Sequence, residues 1–187
     1  MKVEILESRQ LTAEDALAIG QLIFKVWPKP GKDAVFRQRQ MLTLGHCYQG
    51  PEKQAPRSFV IREQDRVIAH AAVIPRSINT SHGEMTIAGL CKVCSDPDLR
   101  GHGLGEMVVR AVFDLVDAGV YDFALFQTTR PVKKFYEGLG ACEVDNRFVN
   151  SLDPNPDKCP FWDEIRMRYP TNRDWPTGTI DLLGPGY

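Results

Sequence analysis

The residues with the clearest chemical potential are three glycines at alternate positions near the middle of the chain. They lie in the run Arg100-Gly101-His102-Gly103-Leu104-Gly105-Glu106, which follows an apolar stretch and opens a pattern with helical spacing. Glycine has no Cβ atom, so the backbone there can approach a ligand closely. The first N–H groups of a helix have no intrahelical acceptor and can bind an anion. The run therefore predicts an anion-binding turn, and phosphate suits it best.

Length, composition and charge exclude several classes of protein. The 187 residues are 43% apolar, and 23 Lys and Arg side chains nearly balance 24 Asp and Glu side chains. This length suits a single domain over residues 1–187, with a core at 58–149 and a last strand and docked tail at 150–187. The balanced charge argues against nucleic-acid and membrane partners. No apolar run approaches the ~20 residues of a membrane span, and the N-terminus lacks a secretory pattern, so we expect a cytoplasmic protein.

Cys91 and Cys94 have a spacing that can indicate a metal or redox site. Both lie in a predicted strand, where residues three apart point to opposite faces. The five cysteines are irregularly spaced, and no second Cys or His pair is present to complete a zinc site. We interpret these residues as reduced, buried thiols and expect no metal.

Hydrophobic patterns predict the elements that position these residues. Apolar and β-branched runs predict strands at residues 3–6, 59–61, 67–74, 85–93, 121–126, 142–149 and 161–169. Helical spacing predicts helices at 13–27, 33–44, 103–119 and 131–139, with Thr12 and Asp33 as N-caps of the first two. The end of the chain, 175–187, is expected to be irregular but docked. The order predicts an α/β (α+β) fold with a mixed, mostly antiparallel central sheet flanked by helices.

The glycine run does not fit two common phosphate-binding motifs. The dinucleotide fingerprint needs two residues between its second and third glycines, and here there is only Leu104. A Walker loop needs Gly-Lys-Ser/Thr, which is absent. The run does match Q/R-x-x-G-x-G/A, with Arg100, Gly103 and Gly105 in the required places. In this respect it resembles the pyrophosphate loop of the GNAT superfamily of N-acetyltransferases.

A second motif downstream is similar to another signature of that superfamily. It runs from Thr129 to Phe135-Tyr136-Glu137-Gly138-Leu139-Gly140. The usual Asn at the start of this helix is replaced by Thr129, which can also act as an N-cap, and the usual Phe after the last glycine is replaced by Ala141. The resemblance covers about residues 58–149 and implies a GNAT-like fold.

The resemblance implies acetyl-CoA as co-substrate and assigns its contacts. The loop residues Arg100, Gly101, His102, Gly103, Leu104, Gly105 and Glu106 would bind the pyrophosphate, mainly through main-chain N–H groups. Val93, Cys94 and Ser95, at the end of the preceding strand, would bind the pantetheine and the thioester carbonyl, and Thr129 is also expected to bind the cofactor. Tyr136 matches the general acid near the CoA sulfur; the alternative is a core aromatic of a short helix.

The identity of the general base stays open. Many superfamily members carry a Glu in the strand before the loop, and this strand has none. His70, on the neighbouring strand, and Glu84, at the strand's start, are the two candidates. The alternatives are a sheet histidine satisfied by a neighbouring backbone group and an ordinary turn carboxylate. Asp96, Asp98 and His102 are expected to face solvent around the loop.

Two further likenesses concern the acceptor. The tail, with Trp175-Pro176-Thr177-Gly178 before Ile180-Asp181 and Gly184-Pro185, is similar to the end of nodulation protein A N-acyltransferases. The strand at 68–76 is similar to one in aminoglycoside 2'-N-acetyltransferases. Both families acylate an amine on a sugar, so the likenesses imply acetyl transfer to a primary amine of a small molecule, with an amino sugar or aminoglycoside-like acceptor favoured. A CoA-binding or interaction module without turnover, a protein or peptide N-acetyltransferase, and a homodimer all stay open.

Overall fold

The computed structural model describes all residues from Met1 to Tyr187, which divide into two compact units. Unit 1 contains Met1–Ile74 and Leu90–Asp114, and unit 2 contains Pro75–Gly89 and Leu115–Tyr187. Strands β3 (Arg66–Thr80) and β4 (Gly83–Ser95) each contribute residues to both units. None of the four α-helices combines the length and apolar character that crossing a membrane requires.

Unit 1 holds the N-terminal helices and the glycine run. Its other elements are β1 (Glu4–Glu7), α1 (Ala13–Val26), α2 (Ala34–Thr43), β2 (Arg57–Glu63) and α3 (Leu104–Asp117), the last of which extends into unit 2. The strands pair antiparallel in the order β1, β2, β3. A buried core in this unit joins α1 and α2 to β2, β3 and β4; it comprises Leu11, Ala16, Ile19, Leu22, Ile23, Met41, Val60, Val67 and Cys94.

Side-chain caps define where α1 and α2 begin. Thr12 Oγ1 accepts a hydrogen bond from the Asp15 N–H at 3.1 Å, and Asp33 Oδ1 accepts one from the Phe36 N–H at 2.8 Å. Each cap satisfies an N–H group that has no partner within its helix. Both predicted N-caps are confirmed.

A glycine allows α1 and α2 to pack closely. A Cβ atom on Gly20 would lie 2.6 Å from the Ala34 carbonyl oxygen and 2.9 Å from the Gln38 amide nitrogen, and both are backbone atoms. Neither atom can move without shifting α2 as a whole. The close approach therefore requires glycine in the middle of α1, despite its poor helix propensity.

We expect Gly20→Ala to lower the free energy of unfolding by about 1–3 kcal/mol, because the overpacking penalty exceeds the helix-propensity gain of up to ~1 kcal/mol. Urea unfolding monitored by circular dichroism measures the change. The control is Gly138→Ala at the end of a helix in unit 2, where an added Cβ has no neighbour within 4 Å. That variant should be neutral or slightly stabilised. Equal effects of the two substitutions would contradict the packing argument.

Unit 2 contains the second signature helix and the tail. Its remaining elements are β5 (Ala124–Thr128), α4 (Arg130–Gly138), β6 (Cys142–Glu143), β7 (Arg147–Val149), β8 (Ile165–Tyr169) and β9 (Thr179–Asp181). β8 pairs antiparallel with β5 and β6, and β9 pairs parallel with β7 and antiparallel with β3. A second buried core includes Ile78, Ile87, Phe123, Leu125, Val144, Phe148, Phe161, Ile180 and Leu182.

The nine strands form a mixed, mostly antiparallel sheet in the main order β1-β2-β3-β4-β5-β8-β6, and the four helices flank it. The predicted fold class is confirmed. The prediction of one strand over 142–149 is wrong, because β6 and β7 pair with different strands. Asn146 lies between them and donates hydrogen bonds to the carbonyls of Pro176 and Gly178 at 3.0 and 2.9 Å. The chain therefore leaves β8 at this point and joins the tail.

The tail is packed against unit 2 down to its last residue. The Tyr187 hydroxyl donates to the Leu125 carbonyl at 3.0 Å, and Gln127 Nε2 donates to the Tyr187 carbonyl at 2.8 Å. Arg76 Nη2 donates to the carbonyls of Leu182 and Pro185 at 3.2 and 3.0 Å. The docking of the tail was expected, but the strand β9 within it was not. Its three residues lie between glycines and prolines and are too few to show a strand pattern.

Candidate active site

The glycine turn before α3 has the geometry of an open cradle. Gly101 and Gly103 have φ angles of 84° and 73°, in the left-handed region that favours glycine. A Cβ atom at either position would meet no atom within 4 Å, and both residues are exposed. The first α-helical bond after the turn runs from the Met107 N–H to the Gly103 carbonyl at 3.0 Å. The preceding N–H groups are therefore available to an anion.

A buried carboxylate anchors the chain just before this turn. Asp96 is 1% exposed, and its side chain bonds Lys25 Nζ at 2.6 Å and pairs with Arg66 Nη1 at 3.3 Å. Hydrogen bonding from Lys25 holds the pKa of Asp96 below its usual value. The prediction that Asp96 faces solvent is wrong, whereas Asp98 and His102 are exposed as expected. Asp96 thereby ties the start of the loop to α1 and β3.

The end of β4 carries the residues expected to bind the thioester. The parallel register between β4 and β5 covers only Ala88 and Gly89 of β4. The later residues have no ladder partner on that edge, so the N–H and C=O groups that point to it can bind a ligand. Val93 and Ser95 are half-buried, and Cys94 is buried. Burial raises the pKa of the Cys94 thiol to about 12, so it is neutral and a poor nucleophile near pH 7.

His70 lies inside the sheet with both ring nitrogens hydrogen-bonded. Its Nδ1 is 2.8 Å from the Lys92 carbonyl oxygen, and its Nε2 is 3.1 Å from the Ser58 hydroxyl. A carbonyl can only accept, so the proton resides on Nδ1 and Nε2 accepts from Ser58. His70 is 0% exposed, and burial lowers its pKa from 6.5 to about 4. These surroundings suit the sheet histidine satisfied by a backbone group better than they suit a general base.

The low pKa of His70 predicts a loss of stability in mild acid. The pKa is about 4 in the folded chain and 6.5 in the unfolded chain, so unfolding takes up a proton below pH 6.5. The contribution of the neutral His70 ring to the free energy of unfolding is complete above pH 6.5. It is lost as the pH falls towards 4. From pH 7 to pH 5 we expect the free energy of unfolding to fall by about 2 kcal/mol from this residue. Urea unfolding of the wild type and of His70→Asn at both pH values isolates the effect; identical pH slopes would contradict it.

Two further predicted residues of unit 2, Tyr136 and Thr129, lie in α4 and at its N-cap position. Tyr136 is 5% exposed, and its ring centroid lies 4.6 Å from that of Phe126 and 4.9 Å from that of Phe135. Thr129 is the N-cap residue of α4, as expected, but its side chain forms no capping hydrogen bond. Glu164 Oε1 accepts the Arg130 N–H at 2.9 Å instead. The Thr129 hydroxyl is thus not used by the helix.

Comparison with known proteins agrees with this geometry. The family model of the acetyltransferase (GNAT) domain matches residues 7–144. The chain belongs to the GNAT acetyltransferase family. It is therefore an enzyme of the N-acetyltransferase class.

Solved structures share the fold of this GNAT enzyme at low sequence identity. Escherichia coli ElaA matches with a TM-score of 0.57 and 16% identity over 89% of this chain and 97% of that chain. Glucosamine-6-phosphate N-acetyltransferase from Arabidopsis thaliana matches with a TM-score of 0.59 and 15% identity over 82% and 100%. A conserved Enterococcus faecalis protein matches with a TM-score of 0.54 and 14% identity over 75% of this chain, which spans only 32% of that protein. No curated protein matches the chain.

Glu84 is not placed with Val93 to Ser95, the residues expected to bind the acyl donor. It is the second residue of β4, whereas Val93 to Ser95 are the last three, so it lies at the opposite end of the strand. It is also exposed. Tyr136, Thr129 and Glu84 belong to unit 2; the loop, Val93 to Ser95 and His70 belong to unit 1. No group of three or more His, Cys, Asp or Glu side chains is arranged to hold a metal ion.

Several residues around the glycine turn of this GNAT enzyme could not be predicted from sequence patterns. Asp96 precedes Pro97, and an Asp-Pro pair can signal the start of a turn, which was the one available clue. Its partner Lys25 is 71 positions away, beyond the reach of any local pattern. Ser58 and Lys92 acquire their roles only because they contact His70.

Proposed function

We propose that this enzyme transfers an acetyl group from acetyl-CoA to a primary amine of a small molecule. The proposal rests on the open glycine turn at Gly101 and Gly103. Its backbone is in the left-handed region, the space beside both glycines is free, and the turn leads directly into the N-terminus of α3. A pyrophosphate would accept hydrogen bonds from the N–H groups of this turn. The exposed Arg100 guanidinium adds a positive charge beside it.

The end of β4 supports the acyl-transfer step. The backbone groups of Val93 to Ser95 have no ladder partner on the side of β5. In this proposal they bond the pantetheine amides and polarise the thioester carbonyl, as in an oxyanion hole. Cys94 contributes its backbone only, since its buried thiol stays protonated.

The reaction is proposed to be direct transfer in a ternary complex. The neutral amine attacks the thioester carbonyl carbon and forms the new C–N bond, and the C–S bond then breaks. The Tyr136 hydroxyl donates a proton to the leaving thiolate, and the amine's surplus proton passes to water. His70 and Glu84 were the candidate bases. His70 is buried with both ring nitrogens hydrogen-bonded, and Glu84 lies at the opposite end of β4 from Val93 to Ser95. We therefore expect kcat/KM to rise with pH up to the pKa of the acceptor amine.

An amino sugar is the favoured acceptor class. The likenesses of the tail and of β3 to enzymes that acylate sugar amines support this choice. One matched structure with the same fold is a glucosamine-6-phosphate N-acetyltransferase.

A thiol-release assay tests the function. The purified chain is mixed with acetyl-CoA and with amino sugars, aminoglycosides, polyamines or peptides, and free CoA is measured over time. N-acetylated forms of the same sugars are the matched controls, because their amine is blocked. Thiol release with a free amino sugar but not with its N-acetylated form is the expected result. Release only with peptides would favour a peptide acetyltransferase, and acetyl-CoA binding without release from any amine would favour a binding module.

A further inference from the structure

Lys92 interrupts the regular backbone of β4 just before the donor residues. Its φ angle is 53°, in the left-handed region, although it is neither glycine nor at the end of the strand. A lysine in this conformation is strained because its Cβ atom approaches the following carbonyl. Such a residue within a strand turns the following side chains and backbone groups to a new direction. Here the following residues are Val93, Cys94 and Ser95.

A buried side-chain network holds the carbonyl of this strained residue. The Nδ1–H of His70 donates to the Lys92 carbonyl oxygen at 2.8 Å. The ring is oriented from its other side by the Ser58 hydroxyl, 3.1 Å from Nε2. His70 and Ser58 are both 0% exposed, so water cannot replace either bond. One network thus connects β2, β3 and the irregular position of β4.

The mechanism does not otherwise use His70. A fully buried histidine without hydrogen bonds would cost stability, and an apolar residue would fill the site more simply. The presence of a histidine here is explained if the imidazole has to hold one particular backbone group. To hold the Lys92 carbonyl, the ring has to carry its proton on Nδ1 and none on Nε2. The low pKa of the ring keeps it in this neutral form near pH 7.

We infer that His70 is a positioning residue: through the Lys92 carbonyl it keeps β4 in the irregular conformation that presents Val93, Cys94 and Ser95 to the acyl donor. The inference rests on the proposed function, because it assigns the donor to that end of β4. Lys92 is held in a strained conformation, and His70 offsets the strain with a hydrogen bond. Removing the ring should allow the backbone to relax and misplace the donor groups.

Variants at His70 separate positioning from simple packing. His70→Leu removes both hydrogen bonds, and we expect it to raise the KM for acetyl-CoA by about tenfold, equal to about 1.4 kcal/mol. His70→Asn keeps an N–H close to the position of Nδ1, and should hold KM within about threefold of the wild type. Both variants should leave the shape of the pH profile of kcat/KM unchanged. A folded His70→Leu variant with wild-type KM would overturn the inference.

A second substitution tests whether the strain at Lys92 is what His70 offsets. Glycine adopts positive φ without strain, so Lys92→Gly in the His70→Leu background should recover most of the lost acetyl-CoA affinity. Gln64 offers a matched control, because its φ of 56° is nearly the same and it lies in the turn between β2 and β3, with no bond to His70. Gln64→Gly should leave the defect in place. Equal rescue by both glycines, or rescue by neither, would overturn the inference.

The same variants decide the outcome if His70→Leu does not fold or the wild type shows no activity. If His70→Leu is unfolded, recovery of folding by Lys92→Gly but not by Gln64→Gly supports the inference, and the reverse overturns it. If the wild type neither binds acetyl-CoA nor releases thiol, the proposed function fails. The link from His70 to Lys92 is then judged by the unfolding free energies of the single and double variants. The effects of His70→Leu and Lys92→Gly should be non-additive, whereas those of His70→Leu and Gln64→Gly should add.

Discussion

Gly103→Ala is expected to raise the KM for acetyl-CoA by about tenfold or more, corresponding to at least ~1.4 kcal/mol of lost binding free energy. The residue has a φ of 73°, and the turn that it forms is open, with no atom within 4 Å of an added Cβ. A methyl group there would occupy the space proposed for the pyrophosphate and would also bias the backbone away from the left-handed region. Both effects weaken the hydrogen bonds from the turn to the ligand. Steady-state kinetics and isothermal titration with acetyl-CoA measure the loss.

The matched control is Gly119→Ala, just beyond the end of α3. Gly119 has a φ of 72°, and an added Cβ there also has no neighbour within 4 Å. The backbone cost should therefore be similar, about 1 kcal/mol in unfolding free energy for each variant. Only Gly103→Ala should change the affinity for acetyl-CoA. If both variants change it equally, the effect is one of stability, and the assignment of the loop is wrong.

Tyr136→Phe is expected to lower kcat by roughly tenfold or more, with the KM for acetyl-CoA within about twofold of the wild type. The substitution removes only the hydroxyl that is proposed to protonate the leaving thiolate. The ring contacts with Phe126 and Phe135 remain, so the helix should keep its position. Single-turnover measurements separate the chemical step from product release.

Tyr169→Phe provides the control for loss of a tyrosine hydroxyl. The Tyr169 hydroxyl is 2.9 Å from both carboxylate oxygens of Asp117, and the residue is 9% exposed. Its removal should cost about 1–3 kcal/mol of stability and leave kcat unchanged. If Tyr136→Phe behaves in the same way, Tyr136 is a core aromatic and not the general acid.

Sequence patterns predicted the parts of the fold that depend on neighbouring residues. The caps at Thr12 and Asp33 were predictable because a cap and the N–H that it accepts are three positions apart. The glycine turn before α3 was predictable because its spacing is local and its conformation needs glycine. The separate strands β6 and β7 were not, because the break between them depends on Asn146 reaching the tail some 30 positions away.

The same distinction holds for the candidate site. The sequence by itself determined the family and the glycine turn before α3, because both follow from short motifs in the correct order. Only the tertiary structure decided the state of individual side chains. Asp96 is a buried carboxylate because Lys25 and Arg66 converge on it, and His70 is neutral because burial in the sheet lowers its pKa. Burial and pairing depend on residues far apart in the chain, and those properties set the pKa of an ionisable group.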